Sequence, residues 1–454
     1  MNEQIDSEEL ELARHATVMG LIKHAFVPVI TTLLASLYMV ADGVFISNLT
    51  SSSEYAGTII AAPYITCFSS IGFMIGGGGN AYVGRLFGEG KKERAVEVFS
   101  MLIEVTVIIT VLASFIGFIF LKPFLISQGA SGDLLEHAYE YGQILFVGTI
   151  FLALQYEFQL FMITSGDEVR AFIYTLLAGI VNIVLDAVFM MALHSGNEGA
   201  AVATVIGEFV GAVAPFIFYV RCKNKEGAML FFKWTKLEMR VIWDVCVNGM
   251  SEMIETVAES VLGFFFNYQL LKSVGEMGVN AYGSIMYVFM IYSLTFVGFN
   301  EAIVPMMAYQ YGAKKKKELG DIVSRGLIII CGMSVIFFAI TEIFASPLSN
   351  IFNEVGDETY KMSVHGFRIC GISLLFMGAA MFVPSLYTAL GNGLVSGIIT
   401  LLEVLVFPAI LVSILPTIWG IDGVWRSVYS AWGISIVMCI AFIIILRTDR
   451  ELTV

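Results

Sequence analysis

Charge is scarce in this chain of 454 residues: Asp, Glu, Lys and Arg make up 14% of it, against about 25% in an ordinary soluble domain. Hydrophobic residues reach 57% and mean hydropathy is +0.83, which excludes a soluble enzyme built around one large core. Metal-site and disulfide patterns are also missing. The six cysteines are scattered, mostly inside apolar stretches, with no C-x-x-C. The five histidines are dispersed, and neither H-E-x-x-H nor G-x-S-x-G occurs, so no catalytic constellation supports an enzyme and no cofactor is implied. The net charge of −13 leaves no basic face for nucleic acid. The N-terminal residues Glu3, Asp6, Glu8, Glu9 and Glu11 read as an acidic soluble tail rather than a cleavable signal peptide.

What the chain does have is apolar runs, each long enough to cross a bilayer and nearly free of Lys and Arg. Read between polar breaks, they give twelve spans near 20–47, 55–84, 96–121, 137–163, 170–193, 198–221, 238–270, 278–307, 322–344, 362–389, 394–418 and 421–446. An even number puts both termini on one side. That side holds twenty of the 25 Lys and Arg residues, and the other holds only Lys122, Lys272, Lys361, Arg368 and Arg426. The positive-inside rule then predicts a multi-pass protein of the plasma (inner) membrane with both termini cytoplasmic. The run Lys314–Lys317 reads as a topology signal rather than a lipid-binding site.

The spans fall into a repeat. Phe87-Gly88-Glu89-Gly90-Lys91-Lys92-Glu93 follows span two, and Tyr311-Gly312-Ala313 with Lys314–Lys317 and Glu318 follows span eight, with Gly88 and Gly312 separated by 224 positions. Ser165-Gly166-Asp167 is echoed 225 positions later by Leu390-Gly391-Asn392, and Asn197-Glu198-Gly199 by Ile421-Asp422-Gly423 at 224. The weakest landmark pairs Tyr55-Ala56-Gly57 with Asn280-Ala281-Tyr282-Gly283. The predicted fold class is an all-α integral membrane protein, with twelve transmembrane helices in two six-helix lobes related by a pseudo-two-fold axis along the membrane normal. Its predicted parts are an acidic cytoplasmic tail (1–19), an N-lobe (20–221), a basic cytoplasmic linker (222–237), a C-lobe (238–446) and a short cytoplasmic tail (447–454). Parallel repeats of this kind are a transporter architecture, with the substrate site between the lobes and alternating access by rocking.

Ionisable residues inside spans cost about 2.5–3.5 kcal/mol each on insertion scales and are functional by default. Here nearly all are acidic: Asp42, Glu157, Asp186 and Glu208 in the first half, and Glu252, Glu255, Glu259, Glu301 and Glu403 in the second. Counting along the spans at about 1.5 Å per residue, Asp42, Asn182, Asp186 and Thr204 fall in one layer of the outer membrane half. Asn182 and Asp186 share a helical face. Two carboxylates, an amide and a hydroxyl suit a hard cation, or a carboxylate pair that shares a proton. Binding Na⁺ or H⁺ there and exchanging it for a cationic substrate is what an antiporter needs; the bland alternative is a pair of hydrogen-bonded structural acids.

Tyr38-Met39-Val40-Ala41-Asp42, the Ser165-Gly166-Asp167 loop, Asn182-x-x-x-Asp186 and Gly199-Ala200-Ala201-Val202-Ala203-Thr204 together resemble the multidrug and toxic compound extrusion (MATE) family over essentially the whole chain. The resemblance implies a central cavity and secondary active antiport, exporting organic cations in exchange for inward Na⁺ or H⁺. It implies a coupling-ion site, Na⁺ included, at Asp42, Asn182, Asp186 and Thr204, and a first helix that bends at Pro28 as the site fills. The second half departs from that pattern: the repeat maps Asp42 onto Asn267 and Asp186 onto Leu411, and span ten has no acid after Lys361. Glu252, Glu255 and Glu259 share one helical face and, with Tyr38, Glu157, Asn267 and Glu301, are expected to line the substrate cavity. The expected partners are organic cations and the lipid bilayer, and the protein is expected to work as a monomer. The runner-up function is a lipid-linked saccharide flippase of the related superfamily, which should carry basic residues in its cavity for a pyrophosphate and often has extra spans.

Two further motifs read as bland. Gly76–Gly79 has no lysine and follows no strand, so it serves close helix approach rather than phosphate binding. Asn48-Leu49-Thr50 matches a glycosylation sequon as easily by chance as by design.

Overall fold

A computed structural model of the chain describes residues 17–223 and 228–448, apart from the side chains of Met39, Arg447 and Thr448. The predicted acidic tail, up to residue 16, and the last six residues lie outside the described part. Sixteen helices follow in order: α1 (Val18–Leu49), α2 (Ser52–Gly88), α3 (Lys92–Ser127), α4 (Gly132–Thr164), α5 (Glu168–Asp186), α6 (Gly196–Cys222), α7 (Met239–Asn248), α8 (Met250–Val274), α9 (Glu276–Gly312), α10 (Lys316–Phe352), α11 (Glu358–Gly371), α12 (Leu374–Ala389), α13 (Gly393–Leu401), α14 (Phe407–Ile414), α15 (Pro416–Trp419) and α16 (Ile421–Thr448). No strand occurs among the described residues.

These helices make the twelve crossings of the expected architecture, with breaks that the apolar pattern does not announce. Among the described residues, ten stretches are long and apolar enough to span a membrane by themselves. The eleventh crossing is the α11–α12 pair, bent by 51° at its junction. The twelfth is α8 with α7 before it; its apolar character is diluted by Glu252, Glu255 and Glu259. Two further crossings are interrupted by wider turns. α5 passes into a π-helical turn over Ala187–Ala192, directly after Asp186, and α13 passes into another over Leu402–Val406, which carries Glu403. Such turns are rare and tend to occur at functional sites.

The repeat is visible as paired helix ends. At the end of α2, Gly90 adopts φ +75°, with its N–H on the Phe87 carbonyl (3.0 Å) and the Lys91 N–H on the Leu86 carbonyl (2.9 Å). The end of α9 makes the same turn: the Lys314 N–H meets the Tyr311 carbonyl (3.0 Å) and the Lys315 N–H the Gln310 carbonyl (3.0 Å). Gly166 and Gly391 form a second matched pair, at φ +77° and +78°. Two of the four sequence landmarks are therefore helix-capping turns, in which a left-handed residue closes the last free carbonyls, and the pair at Asn197 and Ile421 marks the first turns of α6 and α16.

Apolar side chains outside the core point outward in bands. On α3, Ile108, Val111, Leu112, Phe115, Ile116 and Ile119 are all exposed and repeat at helical spacing, as a lipid-facing stripe does. Between the two halves, glycines set the contact. A β-carbon at Gly78 would overlap the Val245 carbonyl, one at Gly88 the Tyr309 carbonyl, and one at Gly312 the Arg85 carbonyl. At Gly298 it would stand 2.8 Å from the Val29 Cα. All four contacts lie toward the end of the bundle where α2 and α9 terminate. Farther toward the opposite end, Gly43, Gly263 and Gly283 face open space. The halves are thus closed at the end bearing the basic loops and parted at the other.

The described part of the linker is strapped to α3. The Lys233 N–H donates to Ser100 Oγ (3.0 Å), Lys233 Nζ pairs with Glu97 (3.0 Å), and Arg94 pairs with Glu238 (2.7 Å). Phe232 packs on Phe99 and Tyr219.

Candidate functional site

Two polar sites lie within the apolar bundle, one inside the first half and one between the halves.

The first is set between α1, α4, α5 and α6. Asp186, at the end of α5, is fully buried, and Asn182 one turn earlier is 2% exposed. Asp42 on α1 lies within electrostatic reach of Asp186 and of Glu208 on α6, and Tyr141 on α4 faces all three acids. Small residues make this approach possible. A β-carbon at Gly207 would stand 2.9 Å from Asn182 Cβ, one at Gly179 would stand 3.0 Å from the Tyr38 ring, and one at Gly148 would stand 2.8 Å from Glu208 Oε2. Thr204 is half-buried on α6, three residues before Gly207 and so on the same face.

Both carboxylate oxygens of Asp186, both amide atoms of Asn182 and Oδ1 of Asp42 are buried with no hydrogen-bond partner among the described residues. Buried polar atoms are rarely left this way. A proton or a small cation would satisfy them, and an all-oxygen donor set fits Na⁺ as well as it fits a shared proton. Among the described residues, no three His, Cys, Asp or Glu side chains gather into a metal-binding cluster. A cation here would therefore rely on the amide and hydroxyl as well as the carboxylates. Glu208 joins this site beyond the four residues expected there; it lies one turn from Thr204 on the same helix, and that spacing is the sequence signal for it.

The second site is a cleft of about 60 Å³ between the halves, lined by Glu252 and Glu255 of α8, Glu301 and Asn300 of α9, Glu403 of the π-helical turn, and Tyr156 of α4. Among the described residues, neither Lys, Arg nor His lines it. Glu301 accepts hydrogen bonds from Thr32 Oγ1 (3.0 Å) and Gln159 Nε2 (3.4 Å), and Glu252 accepts one from the Tyr156 hydroxyl (3.4 Å). Both oxygens of Glu403 are buried without a partner among the described residues. The cleft has room for a few waters or an ammonium group.

The structure places the other expected cavity residues differently. Glu259 is exposed on α8, one turn beyond Glu255, and Asn267 is exposed further along the same helix. Glu157 is fully buried on α4, both its oxygens lack partners among the described residues, and it does not line the cleft. Tyr38 packs against α5 at Gly179, beside the first site rather than the second. Pro28 is buried in an unbroken α1, its carbonyl accepting from Thr32 Oγ1 (3.1 Å). Glu403, Tyr156 and Thr32 complete the site without having been expected there. Glu403 was visible in the sequence as an intramembrane acid, but Tyr156 and Thr32 carry no signal that separates them from packing residues.

The MatE family model matches residues 28–188 and again 253–414. The two matches begin 225 positions apart (253 − 28), the offset of the capping turns. The multidrug export protein MepA of Staphylococcus haemolyticus is 22% identical over 426 residues, covering 93% of each chain. Among solved structures, one described as the outward-facing conformation of a multidrug resistance MATE family transporter of the MOP superfamily aligns with a TM-score of 0.88 at 20% identity, over 95% of this chain and 96% of that one. A MOP superfamily transporter from Pyrococcus furiosus, whose binding pocket is described as having reverse polarity suggesting a different function, also aligns at 0.88 and 20% identity, over 98% and 100%.

Proposed function

The chain belongs to the MatE family, and on that premise we propose that it is an antiporter that exports organic cations, drugs among them, in exchange for inward Na⁺ or H⁺. The observation that carries this reading is the cleft between the halves, where Glu252, Glu255, Glu301 and Glu403 converge with no cationic side chain. In a water-poor site such a set favours a positively charged guest. The flippase alternative needs the opposite polarity, since a pyrophosphate requires Lys or Arg. Fold likeness does not decide between the two, because one fold hosts many functions.

The coupling ion is assigned to Asp42, Asn182, Asp186 and Thr204, with Glu208 as a further carboxylate. When Na⁺ is bound, Asp42 and Asp186 supply the charge that offsets it, and Asn182 and Thr204 supply neutral oxygens. With H⁺ as the coupling ion, the carboxylates hold the proton between them. With both termini in the cytoplasm, the closed end of the bundle is the cytoplasmic one, and the structure corresponds to an outward-open state. In that state the ion site and the cleft exchange contents with the exterior.

The test is export of a fluorescent organic cation from proteoliposomes under an imposed Na⁺ gradient, compared with an imposed pH gradient. Movement driven by one gradient establishes antiport and names the ion. Absence of movement under both, with a panel of mono- and dicationic dyes, overturns the reading.

A further inference from the structure

The polar groups of the central cleft are unequally engaged. Glu301 Oε2 accepts from both Thr32 and Gln159, and Glu252 accepts from the Tyr156 hydroxyl. These two carboxylates therefore bring charge through oxygens that already have partners. Glu403 differs. It is 2% exposed and lines the cleft, and both its oxygens lack a partner among the described residues. Asn300 of α9, 6% exposed, lines the same cleft. Its Nδ2 donates to the Met381 carbonyl (3.3 Å), which fixes the amide and leaves Oδ1 with no partner among the described residues.

The buried lining atoms without partners are thus three oxygens, and all three are acceptors. Hydroxyls of the same lining are committed elsewhere. Ser385 donates to the Met381 carbonyl (3.2 Å). Ser396 gives its hydrogen to the Pro384 carbonyl (2.9 Å), so Thr388 gives its own to Ser396 (2.9 Å). Buried acceptors left without donors are costly, and a guest relieves that cost only if it brings N–H groups. A trimethylammonium head carries charge but donates nothing, and it is bulkier than an ammonium. Aromatic faces are what usually hold such a head, and among the described residues Tyr156 is the one aromatic side chain of the lining.

We propose that the cleft selects cations bearing N–H donors, namely primary ammonium, amidinium or guanidinium groups, over quaternary ammonium ions. This rests on the reading of the cleft as the substrate site and narrows its substrate class. Glu403 and Asn300 Oδ1 accept the hydrogen bonds of the head group, while Glu252, Glu255 and Glu301 supply further negative charge. An ammonium brings three N–H groups to three acceptors. A planar amidinium or guanidinium presents two of its N–H groups in parallel to the two oxygens of Glu403. The volume of about 60 Å³ suits a head group of this size. A site built to hydrogen-bond its guest rejects an analogue without those hydrogens, because its own groups are then buried and unpaired.

The test compares 2-phenylethylammonium with its N,N,N-trimethyl analogue, which shares its body and charge, and adds benzamidinium as a planar member. Each is titrated against the purified full-length protein, reading the thermal midpoint, so the answer does not depend on which ion drives export. Both N–H cations should bind at least about tenfold more tightly than the trimethyl compound. Glu403→Gln, of equal size, should shrink that preference to about threefold or less, and Asn300→Leu should reduce it by about threefold. Equal or tighter binding of the trimethyl compound, a preference unchanged in both variants, or no binding by any of the three would overturn the inference. Equal binding leaves the export reading standing, whereas absence of gradient-driven dye export strikes that reading itself.

Discussion

Thr32 on α1 donates a hydrogen bond of 3.0 Å to Glu301 on α9, so a carboxylate of the central cleft is tied directly to the first helix of the other half. The same hydroxyl contacts the Pro28 carbonyl at 3.1 Å, and Gly298 backs the crossing. The seam and the cleft thus share one side chain. Thr32→Val keeps the shape and removes the hydroxyl. Because the partner is a buried carboxylate, the closed state should lose about 1–3 kcal/mol, seen as a lower thermal midpoint for the purified protein. An unchanged midpoint would show that Glu301 finds an equivalent partner.

Asp186→Asn preserves size and hydrogen-bonding capacity at a fully buried position. The variant should express and fold as wild type does, while ion-driven export in proteoliposomes falls at least tenfold. Normal coupled transport by this variant would overturn the assignment of the ion site.

Gly88→Ala places a methyl group against the Tyr309 carbonyl, where no room exists. Overpacking of this kind costs about 1–3 kcal/mol, and here it acts only on the state in which the seam is shut. Export should slow severalfold, whereas Gly43→Ala, in open space, should transport at the wild-type rate. Equal effects of the two substitutions would argue against a glycine-dependent seam.

The strap on the linker is electrostatic and exposed. The Arg94 guanidinium holds the Glu238 carboxyl below the usual carboxylate range. A lowered carboxyl stabilises wherever it is ionised, so the contribution is complete above the ordinary value of about 4.3 and fades as pH falls through the lower folded value. Hydrogen-exchange protection of the Lys233 amide should therefore be constant from pH 6 to 8. Arg94→Gln should reduce that protection by less than about tenfold, as for other exposed pairs. A steep pH dependence in that window would implicate some other group.

The division between what the sequence conveys and what it hides follows from the physics of each residue. Apolar length and the side-to-side bias of Lys and Arg report the bilayer directly, so the crossings and the paired turns at Gly90 and Lys314 were legible. Asp42, Asn182 and Asp186 were legible as a group because an intramembrane acid is costly and helical spacing places it by depth. Which acids share a cavity is a tertiary fact. Glu252 and Glu255 turn toward Glu301 and Glu403, while Glu259 on the same helical face emerges at the surface because the halves part beyond it. The break between α7 and α8 was equally hidden. It arises where Gly249 meets Met74 on α2, a contact remote in sequence.

The three glutamates of α8 also bear on biogenesis. A segment this polar partitions poorly into lipid by itself, whereas α9, with which it packs, is long and apolar. Of its three carboxylates, Glu252 is met by the Tyr156 hydroxyl of α4 at 3.4 Å, a partner that belongs to the first half. The residues that would carry the cargo therefore make the second half dependent on the first for its assembly, and order of synthesis, N-terminal half before C-terminal half, supplies that partner in time.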